Sequence, residues 1–292
     1  MNVLITGCSS GLGRLTALSL AARGHSVYAS MRDASGRNRG PAVQLEEEAS
    51  RQNLRIKVID LDVTDAASVT NAIGQVNRDS GAVDVLVNNA GHMAIGLAET
   101  FTESQAEEQL QVNTIAPFRL CRAVLPQMKE RRSGLIVHVT SILGRVVFPG
   151  CGIYCASKWA YEALAETLHY ELVETGVESV IVEPGPYPTQ LLPNSPEPRD
   201  MDRAASYGSL SDWRAAFLNQ FRTFFESPSA PDSGEVARAI TDLVQMPGGT
   251  RPLRTVCGLD YGARQLNEFS SRIQADDLRE FGMAAMAARA LG

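Results

Sequence analysis

A tyrosine and a lysine stand four residues apart in this chain, at Tyr154 and Lys158, and Ser141 lies thirteen positions upstream of the tyrosine. Residues four apart on a helix share one face, so the lysine ammonium is expected close to the phenol. A free tyrosine has a pKa of about 10 and is almost never ionised at neutral pH. A neighbouring positive charge lowers that pKa, so the spacing predicts a group poised to donate and accept a proton.

A glycine-rich turn, TGCSSGLG at residues 6–13, follows a short apolar run and opens a predicted helix over residues 12–23. Glycines let the backbone approach a phosphate closely, and a helix N-terminus offers free N–H groups and a positive dipole end. We therefore predict a dinucleotide site that includes Gly7, Ser9, Ser10, Gly11, Leu12 and Gly13. A proton donor beside a dinucleotide indicates hydride transfer at a carbonyl or alcohol carbon.

The same turn contains the pattern of a serine-hydrolase elbow, GxSxG, at residues 7–11, with Ser9 as the nucleophile. That elbow requires an oxyanion donor from an earlier strand-to-helix loop. Because only six residues precede Gly7, we expect no such loop and no nucleophilic role for Ser9.

Length and composition restrict the class of protein. The 292 residues are 44% apolar, which is enough for the large core of a single α/β domain. The net charge of −6, without a basic cluster, argues against nucleic acid or an anionic membrane as partner. Five cysteines without metal-ligand spacing predict reduced thiols, a cytoplasmic location and no metal site. We expect no signal peptide and no membrane span, because no apolar run approaches ~18 residues.

Short apolar runs alternate with longer helical stretches along the chain. The predicted strands cover residues 3–5, 27–29, 55–60, 83–87, 135–139 and 177–182. Long helices are expected over 103–131, with a kink or a break at Pro117, and over 152–175. Repeated β-α-β units of this kind predict an α/β fold, a Rossmann-type doubly wound parallel sheet forming a single domain over 1–292.

Two segments interrupt the alternation of strands and helices. Residues 186–232 are expected to form a substrate lid, and residues 259–292 a helical C-terminal tail. Aromatic residues recur in the lid at helical spacing, at Trp213, Phe217, Phe221 and Phe224. They form either ordinary packing or an apolar wall of the site. The second alternative favours a small apolar ketone, aldehyde or alcohol as substrate.

The end of the second strand bears on which dinucleotide binds. An acidic residue there would accept the adenosine ribose hydroxyls and repel a 2′-phosphate, but no acid precedes Arg32. The Arg32 guanidinium could bind a phosphate, although it could also be a solvated surface charge, and Asp33 follows immediately. We predict NADP(H) in preference to NAD(H).

Over its first 190 residues or so, the chain resembles the short-chain dehydrogenase/reductase family. Residues 6–13 resemble the family's TGxxxGxG turn, and residues 88–91 its NNAG segment. Asn113, Ser141, Tyr154 and Lys158 match its catalytic tetrad. Within the family, TGCSSG and residues 27–33 are similar to the estradiol 17-beta-dehydrogenase and retinol dehydrogenase branch.

The resemblance implies roles for these residues. Tyr154 would be the general acid/base, Lys158 would lower its pKa and bind the nicotinamide ribose, and Ser141 would orient the carbonyl. Asn113 would support a water relay, although it could instead be a helix cap. The other cofactor contacts implied are Asp62, Val63, Asn89, Ala90, Gly91, Pro184, Gly185, Tyr187 and Thr189. Family members also suggest a homodimer or homotetramer formed through helices 103–131 and 152–175.

Some expectations remain open. Asp62 could simply cap the helix that follows it. Among the histidines, His138 is expected in the core and His25 and His169 on the surface, while His92 could contact substrate. An NADP-sensing regulatory protein with the same fold and no physiological turnover is the alternative function, although such proteins tend to lose the tyrosine–lysine pair.

Overall fold

The computed structural model describes residues 1–290 and arranges seven parallel strands in one sheet. Their order is β3-β2-β1-β4-β5-β6-β7, so the Rossmann-type α/β fold is confirmed. The strands are β1 (Asn2–Ile5), β2 (Ser26–Met31), β3 (Ile56–Asp60), β4 (Val85–Asn88), β5 (Gly134–Val139), β6 (Val177–Pro184) and β7 (Arg254–Cys257). The last of these was not predicted, because it has four residues of which only Cys257 is buried.

Helices cover both faces of the sheet. They are α1 (Gly11–Ala22), α2 (Arg39–Arg51), α3 (Ala66–Ser80), α4 (Glu103–Leu110), α5 (Ala116–Glu130), α6 (Gly152–Glu171), α7 (Met201–Ala204), α8 (Trp213–Phe225), α9 (Gly234–Gln245), α10 (Ala263–Glu280) and α11 (Ala284–Ala290). A π-helical turn, Gln111–Ile115, joins α4 to α5. The helical backbone continues through this turn, which ends two residues before Pro117, so the irregularity predicted there is a π-helical turn and not a break. The predicted C-terminal tail is helical where it is described, and its residues 291 and 292 lie outside the described part.

The central strands are apolar throughout because each faces two cores. Successive strand residues point to opposite faces. Val3 and Ile5 accordingly lie in a core shared with α1 and α9, while Leu4 lies in a second core shared with α3 and α5. A strand buried on both faces reads as a continuous apolar run rather than an alternating one, which explains the sequence pattern.

The chain winds outward in both directions from the middle of the sheet. It proceeds from β1 to β2 and β3 on one side, and from β4 to β7 on the other. Loops after β1 and β4 therefore leave in opposite directions and open a crevice at the carboxyl ends of these strands. Ligands of open α/β sheets bind at such a crevice.

Two predictions about histidines were wrong. His25 and His169 are only 9% and 6% exposed. His169 is buried because α11 covers it, and its Nε2 lies 3.3 Å from the carbonyl oxygen of Arg289. His138 lies in the core, as predicted. All five cysteines are buried and unpaired. Within residues 1–290, no helix has the length and apolar character needed to cross a membrane.

Candidate active site

A cleft of about 1040 Å³ opens at the carboxyl ends of the strands. Its lining includes most of the residues predicted from the sequence: Gly7, Ser9, Ser10, Gly11, Leu12, Arg32, Asp62, Val63, Asn89, Ala90, Gly91, Ser141, Tyr154, Lys158, Pro184, Gly185, Tyr187 and Thr189. Gly13 and Asn113 are the predicted site residues that do not line it. Folding thus brings predicted residues as far apart in sequence as Gly7 and Thr189 to one cleft.

The glycine turn needs its glycines for two different reasons. Gly7 and Gly11 have φ values of 73° and 55°, which side-chain-bearing residues rarely adopt. A Cβ on Gly13 would lie 2.4 Å from the carbonyl oxygen of Gly7 and from Nδ2 of Asn89. Gly13 therefore permits close packing of α1 against the turn, and it is not a cleft residue.

The start of α1 is suited to an anion. Ser10 is the N-cap residue, but its side chain makes no capping hydrogen bond. The first N–H groups of a helix have no intrahelical partner, so those of α1 are left to a ligand in the cleft. Together with the positive φ values of the turn, this arrangement fits the pyrophosphate of a dinucleotide.

Side-chain hydrogen bonds join the turn after β1 to the segment after β4. Thr6 Oγ1 accepts hydrogen bonds from the backbone N–H groups of Asn89 and Ala90, each at 2.9 Å. Asn89 Nδ2 donates to the carbonyl oxygens of Thr6 and Gly7, at 2.8 and 3.1 Å. Because both loops are held in this way, the two sides of the crevice have a defined separation.

Tyr154 and Lys158 lie one turn apart on α6, and Ser141 is the second residue after the end of β5. Lys158 Nζ lies 5.8 Å from the centroid of the Tyr154 ring and donates to the carbonyl oxygen of Val139 at 3.2 Å. Ser141 Oγ accepts a hydrogen bond from the backbone N–H of Leu143 at 3.1 Å, which fixes the serine at the cleft wall. The three predicted residues therefore meet on one side of the cleft.

The prediction that the pKa of Tyr154 is lowered was wrong for this structure. Burial raises the pKa of Tyr154 above its usual value, and the neighbouring Ser141 hydroxyl only partly opposes that shift. Burial also lowers the pKa of Lys158 to about 8, against the effect of the Glu162 carboxylate. Removal of both groups from water outweighs their mutual proximity. Tyr154 is therefore held in its protonated form, and Lys158 titrates within reach of neutral pH.

Asn113 stands behind the cleft, in the π-helical turn before α5. It is fully buried; Nδ2 donates to the carbonyl oxygen of His92 at 2.9 Å and to Ser157 Oγ at 3.1 Å. A Cβ on Gly91 would lie 3.2 Å from Asn113 Oδ1 and 3.8 Å from Lys158 Nζ. Asn113 therefore holds the backbone after β4 beside the lysine, and it does not touch the open cleft.

Asp62 faces the cleft near the end of β3. Its Oδ1 accepts hydrogen bonds from the backbone N–H and the hydroxyl of Thr64, at 2.9 and 2.6 Å. Burial opposes ionisation, but these hydrogen bonds and the charge of Arg32 hold the pKa of Asp62 below its usual value. The residue that caps α3 is Asp65. Asp62 therefore carries a negative charge into the cleft beside Arg32.

The loop after β2 turns Asp33 away from the cleft. Asp33 adopts a φ of 51°, and its Oδ2 accepts the backbone N–H of Arg37 at 2.8 Å. Its carboxylate closes a tight turn, whereas Arg32 and Arg37 line the cleft. The sequence did not reveal Arg37, because its position depends on this turn.

Tyr187 presents its ring to the cleft, but its hydroxyl points elsewhere. The side chain is 5% exposed and its hydroxyl donates to Glu235 Oε2 of α9 at 2.8 Å. Tyr187 therefore packs in the core that the sheet shares with α1 and α9. Any cofactor contact of Tyr187 is through its ring or backbone.

The lid contributes apolar surface to the cleft. Phe217 and Phe221 line it, in agreement with the alternative that the aromatic residues form an apolar wall of the site. Trp213 instead stacks on Phe217 with ring centroids 4.6 Å apart, and Phe224 does not reach the cleft. Phe225, which was not predicted, does line it. Other apolar lining residues missed from the sequence include Met93, Leu143, Val147, Phe148, Leu191 and Leu192. His92 also lines the cleft.

The chain belongs to the short-chain dehydrogenase/reductase family: the family model described as "short chain dehydrogenase" matches residues 1–200. Members of this family act on CH–OH groups with NAD(P), so the protein is an oxidoreductase that uses a nicotinamide cofactor.

Curated relatives support the branch suggested by the sequence. A 3-ketodihydrosphingosine reductase of Bacteroides thetaiotaomicron is 35% identical over 220 residues, 75% of this chain and 74% of that protein. Retinol dehydrogenase 8 of Bos taurus is 39% identical over 259 residues, 86% of this chain and 78% of that protein. Human 17-beta-hydroxysteroid dehydrogenase type 1 is 37% identical over 193 residues, 65% of this chain and 58% of that protein.

Solved structures share the fold. A short-chain dehydrogenase from Streptomyces avermitilis superposes with a TM-score of 0.74 and 30% identity, and the match covers 96% of each chain. An alcohol dehydrogenase from Thermococcus sibiricus, solved with 5-hydroxy-NADP, superposes with a TM-score of 0.68 and 25% identity over 88% of this chain and 95% of that one.

Proposed function

We propose that the protein is an NADP(H)-dependent oxidoreductase that interconverts an apolar ketone or aldehyde and its alcohol, with Tyr154 as general acid/base. The observation that supports this most strongly is the meeting of Tyr154, Ser141 and Lys158 in the cleft that the glycine turn also enters. Bound NADPH would supply the hydride in the reduction direction. The residues of this chain bind, orient and move the proton.

In reduction, Tyr154 donates the proton of its hydroxyl to the oxygen of the substrate carbonyl. Burial keeps that proton on the phenol at neutral pH, so the acid is present before substrate arrives. Ser141 donates a hydrogen bond to the same oxygen and stabilises the negative charge that develops there. Proton transfer from a positioned side chain typically contributes about 10²–10⁴-fold to the rate.

Lys158 restores the proton after turnover. Burial lowers its pKa to about 8, so it can lose and regain a proton close to neutral pH. The buried amide of Asn113 binds the backbone of His92 and the hydroxyl of Ser157, which directly precedes Lys158. Lys158 also contacts the nicotinamide ribose in this proposal, and the segment Pro184–Thr189 receives the carboxamide.

The preference for NADP(H) depends on the charges at the adenine end of the cleft. Arg32 and Arg37 line that end, while the Asp33 carboxylate accepts a backbone N–H and lies outside the cleft. The carboxylate of Asp33, although it follows Arg32 in the sequence, therefore does not oppose a 2′-phosphate in the cleft. Two guanidinium groups can bind a phosphate through charge-assisted hydrogen bonds.

The substrate is apolar in this proposal because the lid side of the cleft is apolar. Phe217, Phe221 and Phe225 face the cleft, together with Val147 and Phe148. The names of the relatives, which refer to 3-ketodihydrosphingosine, 17-beta-hydroxysteroids and retinol, also denote largely apolar molecules. We further propose a homodimer or homotetramer formed through α5 and α6, where Phe118 and Trp159 are exposed.

A panel of apolar ketones, aldehydes and secondary alcohols, followed by the absorbance of NADPH, tests the proposed function. We expect turnover with NADPH or NADP⁺ and weaker activity with NADH or NAD⁺. Tight binding of NADPH without turnover of any compound would instead support an NADP-sensing regulatory protein.

A further inference from the structure

A buried arginine lies beneath the catalytic helix and is surrounded by carboxylates. The Arg254 side chain is 6% exposed and approaches Glu166 Oε2 at 2.5 Å, Glu162 Oε2 at 3.1 Å and Glu183 Oε1 at 3.2 Å. We refer to these four residues as the Arg254 cluster. The mechanism proposed above does not use it, although three of its members belong to elements that carry active-site residues.

Glu162 connects the catalytic helix to the segment after β5 that carries Ser141. It lies one turn after Lys158 on α6, and its Oε1 accepts a hydrogen bond from Thr140 Oγ1 at 2.5 Å. Thr140 directly precedes Ser141. A Cβ on Gly144, in the turn that Ser141 caps, would lie 2.7 Å from Glu162 Cγ. Glu162 is therefore packed between two of the three elements that form the catalytic set.

Glu183 connects the cluster to the segment proposed to receive the nicotinamide. It is fully buried and directly precedes Pro184 and Gly185 at the end of β6. Its Oε2 accepts a hydrogen bond from Asn267 Nδ2 of α10 at 2.6 Å, while its Oε1 receives no hydrogen bond and only faces Arg254. Arg254 is therefore the cation between this segment and α6.

Three carboxyl groups face a single guanidinium in the cluster. Burial raises the pKa of Glu183 to about 8, and the Glu162 carboxylate adds to that shift, whereas Asn267, Arg254 and Arg145 oppose it. Burial also raises the pKa of Glu162. Since several carboxylates share the Arg254 guanidinium, its loss would leave buried charges without compensation. The elements that carry them would then separate or admit water.

We propose that Arg254 is a positioning residue: by binding Glu162 and Glu183 together, it sets the separation between α6 and the Pro184–Gly185 segment. Its consequence for turnover rests on the proposed function, because Tyr154 and the nicotinamide would approach the carbonyl from these two elements. A misplacement of about 1 Å at reacting atoms can reduce a rate by about 100-fold.

The chain offers a matched control in Arg251, which forms a buried ion pair with Glu178 at the opposite end of β6. Both side chains of that pair are 10% exposed. Arg254→Met and Arg251→Met each remove a buried cation, but only the first lies beneath the active site. Any general loss of stability is therefore expected in both variants.

Hydrogen exchange of the chain without ligands gives a readout that does not depend on activity. In Arg254→Met we expect amide exchange to increase at least about tenfold in residues 152–158 and 185–191, with no such increase in Arg251→Met. In turnover, we expect kcat to fall about 10- to 100-fold in Arg254→Met while the Kd for NADPH changes by less than about threefold. Arg251→Met should retain the wild-type kcat.

A second variant covers the case in which Arg254→Met does not fold. Adding Glu162→Gln and Glu183→Gln removes the uncompensated charges, so the triple variant should fold and still show faster exchange and lower kcat. Arg254→Lys, which keeps the charge but loses the planar fork, should be intermediate. Equal exchange and equal kcat in the Arg254 and Arg251 variants would overturn the proposal. If wild type turns over no carbonyl, the proposed function fails, and the exchange pattern still decides the role of Arg254.

Discussion

The two halves of the cleft are built in different ways. In the cofactor half, directed hydrogen bonds such as those between Thr6 and Asn89 hold the loops, and left-handed glycines shape the backbone. In the lid half, α8 buries only Phe217, and its aromatic rings stack mainly on one another, with centroids 4.6 to 6.5 Å apart. Phe217 also packs on Phe148, with ring centroids 5.8 Å apart. One half is defined by bonds with fixed direction, and the other by apolar shape.

This difference separates the reaction from the choice of substrate. Proton and hydride transfer require atoms placed to within a fraction of an ångström, which directed bonds provide. Apolar contacts are less directional, and adding or removing a methylene in such a pocket changes discrimination by only about 1–3 kcal/mol. We therefore expect large effects on rate from the first half and smaller effects on affinity from the lid.

The largest effect is expected from Tyr154→Phe, which removes the proposed proton donor from the cofactor half of the cleft. We expect kcat to fall about 10²–10⁴-fold. The Kd for NADPH should change by less than about threefold, because the phenyl ring retains the packing. Tyr161→Phe on the same helix is the control; it loses a hydrogen bond to His138 but should retain turnover. Near-native turnover of Tyr154→Phe would remove the proposed acid.

The second-largest effect is expected from Arg32→Ala, which removes a positive charge from the adenine end of the cleft. Arg32→Ala should raise the Kd for NADPH roughly 10- to 150-fold, since a hydrogen bond to a charged group contributes about 1.5–3 kcal/mol. The Kd for NADH, which lacks the 2′-phosphate, should hardly change. Arg39→Ala, at an exposed position outside the cleft, should bind both cofactors as wild type does. Equal NADPH affinity of Arg32→Ala and wild type would contradict the assignment of Arg32.

A change of pH should affect kcat through the cofactor half of the cleft while leaving KM, which depends on the lid half, nearly unchanged. Lys158 loses its proton as the pH rises through about 8, so the proton supply to Tyr154 fails in that range. We expect kcat for ketone reduction to fall up to about tenfold per pH unit above the Lys158 pKa. KM for an uncharged apolar ketone should stay nearly constant, because the lid side chains that line the cleft carry no charge. A parallel rise of KM would show that the lid half titrates as well.

The smallest effect is expected from the lid. Phe221→Ala should raise KM for apolar ketones roughly fivefold, equivalent to about 1 kcal/mol of partly buried aromatic surface. Phe224→Ala is the matched control, because Phe224 lies three residues away on α8 and does not reach the cleft. If Phe224→Ala changes KM as much as Phe221→Ala does, α8 acts through general packing and not as a wall for substrate.

Most of the cofactor half could be predicted from the sequence because its chemistry depends on local spacing. The turn at residues 6–13 and the pair Tyr154 and Lys158 are short patterns whose geometry follows from a strand end or one helical turn. The outward turn of Asp33 could not be predicted, because it depends on a φ of 51°.

The remaining errors concern burial by distant parts of the chain. The raised pKa of Tyr154 results from desolvation by surrounding elements, which spacing within one helix does not reveal. Arg254 contacts carboxylates up to 92 residues away in sequence, and its short strand β7 has no clear apolar pattern. The lid shows the same limitation: helical spacing predicted α8, but it did not distinguish Phe225 from Phe224 as the residue facing the cleft.

The most direct test of the central claim is a crystal structure of the protein with NADP⁺ and an apolar alcohol that it oxidises. We predict that the Tyr154 hydroxyl lies about 2.6–3.2 Å from the alcohol oxygen. The carbinol carbon should lie about 3–3.5 Å from C4 of the nicotinamide. A complex in which the Tyr154 hydroxyl faces away from the alcohol, with another group bound to that oxygen, would contradict the account.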